Sequence, residues 1–166
     1  MPQLIKGRSV GDDRWTLVRD PDAPLPSGPV IVPLVTWQAR REALAARGDV
    51  GVWLAPADDP AALADDVGGL PVIAVDFPQF TDGRGYSTGR LLRERYKFAG
   101  ELRAIGDILR DQLAYLVQCG FDAFTLREGK DAQAAVAGFA DFADGYQLTA
   151  RRTPWFRRRH GSAVVE

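Results

Sequence analysis

Apolar and polar positions along this chain switch between two habits. Short runs rich in β-branched residues, at 30–34 (VIVPL), 51–55 (GVWLA), 72–77 (VIAVDF) and 121–126 (FDAFTL), alternate with longer stretches whose apolar residues recur at helical spacing. The helical stretches are 36–47, 58–67, about 87–97, 107–119 and 131–142. Asp58 or Asp59 caps the second, and Pro60 suits its first turn. Asp107 caps the fourth, whose Ile108, Leu109, Leu113, Leu116 and Val117 form one face, and Gly120 closes it. Residues 101–104 (ELRA) supply a short strand between the third and fourth helices. The uninterrupted run 72–77 is the pattern of a strand covered on both faces in a parallel sheet.

Five successive β/α units predict an α/β fold with a mostly parallel sheet. That sheet is either an open, doubly wound layer or an incomplete barrel related to (β/α)8. An amino-terminal hairpin of 3–6 with 15–18 precedes it, set off by the proline-rich stretch 21–29 (PDAPLPSGP). The division is therefore 1–29 hairpin and loop, 30–143 α/β domain, and 144–166 carboxy-terminal tail. Open sheet edges in an incomplete barrel would need cover, which a homodimer would supply.

Composition narrows the class. The chain has 166 residues, 46% hydrophobic and 26% charged, with mean hydropathy −0.17, as expected for one globular domain. The amino-terminal stretch has no uninterrupted apolar core, and no later segment approaches the roughly 18 apolar residues of a membrane span, so the expectation is a cytoplasmic chain. Charge is unevenly placed. Five arginines against Glu166 give residues 151–166 a charge of +4, which leaves −5 on residues 1–150 from a total of −1. The tail interleaves those arginines with Trp155 and Phe156. It reads first as a solvated terminus, second as a docking element for a partner, and last as a nucleic-acid binder.

Chemistry concentrates between Phe77 and Leu113. Both architectures place ligands at the carboxyl ends of strands, here 76–87, 103–107 and 125–130. Asp76 and Arg103 end two of the strands, with Asp82 and Arg84 in the loop between them. Arg84 and Arg103 offer forks to a carboxylate, phosphate or sulfate-like oxyanion, and Ser87 at a helix start adds backbone N–H groups. Asp76, Asp82 and Asp107 are the candidate general acids or bases. The competing reading makes Asp82-Gly-Arg84-Gly a tight turn whose arginine pairs with Asp76 or Asp107 inside the domain. Asp107 and Asp111, spaced i and i+4 on the expected helix, read as a cap and an ion pair, and no metal is assigned.

Several activities lack their residues. Cys119 is the one cysteine, so this polypeptide builds no internal disulfide, dithiol pair or cysteine-ligated cluster. At a helix carboxyl end it reads as a buried or capping residue. His160, the one histidine, lies in the tail, which removes a histidine-rich metal site and a Ser-His-Asp triad. Gly83-x-Gly85 lacks the third glycine of a dinucleotide fingerprint, and no Walker motif is present. No cofactor is expected. Trp37 and Trp53 read as packing residues.

The string Phe77-x-x-Phe80-x-Asp82-Gly-Arg84-Gly-Tyr-Ser87, followed by Leu92-Arg93, Gly100-Glu-Leu-Arg-Ala104-x-Gly106-Asp107 and Asp111-Gln-Leu113, resembles the bacterial family catalogued as domain of unknown function 934. The resemblance covers about 30–143. Members are commonly labelled probable oxidoreductases involved in sulfite reduction, a label drawn from genes that neighbour sulfite or nitrite reductase. It implies an accessory role in sulfur assimilation, through binding of sulfite, sulfate or a phosphate-bearing metabolite, or through docking to sulfite reductase. The alternative is a barrel-type enzyme acting on a small anionic metabolite.

Overall fold

The computed structural model describes residues 3–7, 9–79, 81–126 and 131–137. Among these residues eight strands form one mixed sheet in the order β2-β1-β8-β7-β6-β5-β4-β3. They are β1 (Gln3–Lys6), β2 (Ser9–Asp12), β3 (Thr16–Leu17), β4 (Val30–Pro33), β5 (Val50–Leu54), β6 (Val72–Phe77), β7 (Glu101–Gly106) and β8 (Ala123–Thr125). From β3 to β8 each strand pairs in parallel with the next in sequence. The hairpin β1–β2 adds antiparallel to β8.

This order forces the sheet to curl. Asp12 ends β2 and Thr16 begins β3, yet these strands are the two outer members of the sheet. Eight flat strands would separate them by roughly 34 Å, whereas four Cα steps reach at most about 14 Å. Curling brings the edges near each other without pairing them, so the sheet is an open half-barrel. The hairpin partner expected at 15–18 is therefore corrected. β1 pairs with β2, while β3 lies at the opposite edge beside β4, where Thr16 donates its N–H to the Pro29 carbonyl at 2.9 Å. Gly7 explains the earlier turn: at φ 62 it reverses the chain between β1 and β2.

Alternation along the strands sorts side chains onto two faces. Val30, Val32, Val52, Leu54, Ile73, Val75, Phe77, Leu102, Ala104 and Phe124 face the helices. Against them pack Leu34 and Trp37 of α1 (Leu34–Ala39), Leu44 of α2 (Arg41–Ala45) and Leu92 of α3 (Arg84–Glu94). Leu113 and Leu116 of α4 (Leu113–Gln118) and Ala132 and Ala135 of α5 (Ala132–Ala137) complete this core. The other face carries a smaller cluster of Trp15, Ile31, Val72, Ala74 and Ile105, with Leu17 and Trp53 beside it. Among the described residues no helical residue joins this second cluster, because strands laid down in order, with crossovers of one hand, put the helices between them on one side.

Element boundaries shift for local reasons. The helix expected at 36–47 breaks at Arg40, whose φ −131, ψ 27 is not helical. The one expected at 58–67 shrinks to a 3-10 turn, Pro60–Leu63, capped by Asp59 as expected. α3 runs Arg84–Glu94, so Ser87 is its fourth residue and Gly83 its N-cap. β7 extends to Gly106, and α4 begins only at Leu113 after a 3-10 turn at Arg110–Gln112. Asp107 therefore precedes the turn, and the i,i+4 relation to Asp111 is not a helical one. Among the described residues no helix is long and apolar enough to cross a membrane. Residues 138–166, with Phe139, Phe142, Trp155 and the arginine-rich tail, lie outside the described residues.

Candidate functional site

The inward faces of β5, β6 and β7 and the segment leading into and out of β3 build a polar layer on the concave side. Arg103 sits deepest, 2% exposed. Its Nη1 donates to Asp13 Oδ2 at 2.6 Å, and its Nε and Nη2 donate to Glu101 Oε1 at 3.0 and 2.7 Å. Lys6 reaches the other Glu101 oxygen at 2.8 Å. Burial pushes the Glu101 carboxyl up, but hydrogen bonds from Lys6 and Arg103 more than offset it and leave the group below the ordinary glutamate value. Arg103 pairs in register with Ala74, in mid-strand, so it does not end its strand. It ties Asp13, and with it the amino-terminal segment, across the concave face.

Nearer the carboxyl ends lies Asp76, its side chain 9% exposed. Oδ2 accepts from Arg19 Nη1 at 2.8 Å. Oδ1 is buried and has no hydrogen-bond partner among the described residues. The Arg19 guanidinium also lies over the Trp53 ring, 5.2 Å from its centroid, while the Trp53 indole N–H donates to the Val18 carbonyl at 2.9 Å. Gly106 closes the far side at φ 102. A Cβ there would come within 2.8 Å of Asp76 Oδ1 and 2.4 Å of the Phe77 carbonyl oxygen, so glycine is required at this point.

Asp82 and Arg84 form a closed local unit at the start of α3. Asp82 Oδ1 accepts from the Arg84 backbone N–H at 3.1 Å and its Nε at 3.0 Å, and Oδ2 accepts from Nη2 at 2.7 Å. The Arg84 side chain holds the Asp82 carboxyl below the usual aspartate range. Arg84 is 63% exposed and Ser87 is exposed. The expected convergence of Asp76, Asp82, Arg84 and Arg103 is thus not what the geometry gives: Arg84 is held by its own loop, Arg103 by Asp13 and Glu101. The tight-turn reading describes the loop, with Asp82 as the arginine's partner in place of Asp76 or Asp107. Asp107 donates its backbone N–H to the Phe77 carbonyl at 2.7 Å, locking the end of β7 to β6.

Two features escaped the sequence reading. Arg19 and Trp53 were not set beside Asp76, although period-two alternation carries Trp15, Leu17 and Arg19 on one face, as it does Val72, Ala74 and Asp76. Arg93 is a structural hub. It donates to the carbonyls of Phe98 (2.6 Å), Gly100 (2.8 Å) and Gly120 (2.9 Å) and to Asp122 Oδ2 (2.9 Å), joining the end of α3 to the segments that lead into β7 and β8. Cys119 is 1% exposed at the C-cap of α4, and burial raises its thiol above the ordinary value, which suits a packing residue. Among the described residues no group of three or more His, Cys, Asp or Glu side chains is placed to hold a metal ion.

A search of curated proteins finds no match. The family comparison begins later than the 30–143 read from the motifs and reaches into the basic tail. Covering residues 51–156, more than half of the sequence and all of β6, the Asp82–Arg84 loop, β7 and β8, it shows that the chain belongs to the family described as bacterial protein of unknown function (DUF934).

Proposed function

We propose that the protein is an accessory of assimilatory sulfite reduction that acts by docking to the reductase. The motif resemblance supplies the pathway. The observation that favours docking over capture of a free oxyanion is charge pairing within the chain. Arg84 lies on Asp82, Arg103 on Asp13 and Glu101, and Arg19 on Asp76, so an incoming sulfite or sulfate would have to displace a carboxylate already in hydrogen-bond contact.

Two measurements test this reading. The tagged protein is expected to retain sulfite reductase from a lysate of its own source through a salt wash, and calorimetric titration with sulfite or sulfate is expected to give no saturable heat. Saturable sulfite binding without reductase capture would replace docking with oxyanion binding.

One observation favours a second reading, a barrel-type enzyme. Asp76 is buried at the carboxyl end of β6 with one oxygen unengaged, the position from which this architecture presents a general base. In that case Asp76→Asn abolishes complementation while leaving the unfolding transition in place. If Asp76→Asn complements fully, the enzyme reading fails. Docking to the reductase through β2 and β3, or self-association through the same edges, is distinguishable by the mass of the purified protein with and without the reductase.

A further inference from the structure

We infer that the outer edge of β2 pairs with the same edge of a second copy of this chain, antiparallel and about a twofold axis at Val10, so that two sheets become one. The inference is independent of the pathway reading. Two residues separate Lys6 from Ser9, its partner in the β1–β2 register, which makes that pair the hydrogen-bonded close of the hairpin. Two positions on, Leu4 and Gly11 are a hydrogen-bonded pair as well. The β8 side agrees: Gly7 donates its N–H to the Asp122 carbonyl at 2.9 Å, so odd-numbered positions of β1 face β8 and even-numbered ones face β2. Ser9 and Gly11 therefore direct their backbone groups to β1. The N–H and C=O of Val10 and Asp12 point the other way, where no described backbone group meets them.

The sequence of this edge selects its own copy as the partner. Val10 is partly buried against the helix-side core, while Ser9, Gly11 and Asp12 are exposed. The strand holds no proline or lysine, and its one-to-one register has no bulge, so the usual devices that keep an edge from pairing are missing from it. The outward groups belong to even-numbered positions, and a second β2 set antiparallel with Val10 opposite Val10 presents groups of the same parity. In that register position 8 of one chain falls opposite position 12 of the other. Those positions hold Arg8 and Asp12, so opposite charges meet twice, once on each side of the axis, flanking the paired valines. Moving the axis to position 8 or to position 12 sets like charges face to face, which fixes the register at Val10. A four-residue seam is short, so the association is reversible and depends on concentration.

Sedimentation of the purified protein from micromolar to near-millimolar concentration is expected to show a monomer–dimer equilibrium. Arg8→Glu alone and Asp12→Lys alone each set like charges across the seam, and each is expected to weaken the dimer at least tenfold. An equimolar mixture of the two variants restores opposite charges at both ends of the seam and is expected to dimerise as the parent does. A parent that stays monomeric throughout, a dimer indifferent to both variants, or a mixture that stays monomeric overturns the inference. Amide hydrogen exchange of the parent gives a readout that needs no variant. The N–H groups of Val10 and Asp12 are expected to gain protection severalfold as concentration rises, while those of Ser9 and Gly11, already paired with β1, keep theirs. Exchange at Val10 and Asp12 that is independent of concentration overturns the inference as well.

Discussion

Single residues here do different work from what their type suggests. Gly85 and Gly89, one helical turn apart on α3, adopt ordinary helical backbone, and what requires them is the ring each one meets. A Cβ on Gly85 would approach Phe77 Cζ to 2.5 Å, and one on Gly89 would approach Phe121 Cε2 to 2.3 Å. Those two rings stack edge to face at 5.9 Å, so neither has room to retreat. Gly89→Ala is expected to destabilise the fold by about 1–3 kcal/mol, read from urea unfolding, despite alanine's better helix propensity. Glu101 carries the clearest pH dependence. Its folded value is depressed, so its contribution is complete above the unfolded value and is lost as pH falls through the folded one. Glu101→Gln is expected to be less stable than the parent at neutral pH, with the gap closing as pH falls through and below the ordinary glutamate range. Unfolding curves across that range check it, and a gap that stays constant would contradict the sign.

At the scale of elements, the strands were legible and the segments between them less so. Runs such as VIVPL and VIAVDF carry apolar side chains on both faces, which few structures other than a covered strand accommodate, and β4, β5 and β6 lie within a residue of where those runs predict them. Residues 58–67 hold Asp58, Asp59, Asp65 and Asp66 around a single fully buried leucine, Leu63, too little apolar surface to stabilise three helical turns. The partner of β1 was illegible for another reason. Both 9–12 and 15–18 alternate, and the turn chemistry at Gly7 decides between them at short range, while the true place of β3 depends on the curl of the whole sheet. The link between them, Asp13 to Trp15, is anchored by the buried Asp13–Arg103 pair, 6% and 2% exposed. Asp13→Ala leaves Arg103 short of a carboxylate in a dry setting. It is expected to cost about 3–5 kcal/mol, with enhanced proteolysis near the amino terminus as its signature. Loss of under 1 kcal/mol would show that the strap does not depend on that pair.

For the molecule as a whole, curvature places the acidic and basic residues. A curled sheet gathers inward side chains of β5, β6 and β7 with the segment around β3, whose sequence positions lie as far apart as Asp13 and Arg103. No spacing rule along the chain reports such a pairing, which is why Arg84 and Arg103, close in sequence and alike in chemistry, were read as one site. Their charges are instead absorbed by Asp82 on one side and by Asp13 and Glu101 on the other. A site whose arginines, Arg84 and Arg103, are paired internally is better suited to holding a partner than to trapping a small anion, and the proposed pathway role rests on the motif resemblance. Growth of a clean deletion strain on sulfate, sulfite and cysteine as alternative sole sulfur sources tests it most directly. Loss of growth on both sulfate and sulfite with rescue by cysteine is the predicted result; normal growth on all three would contradict it.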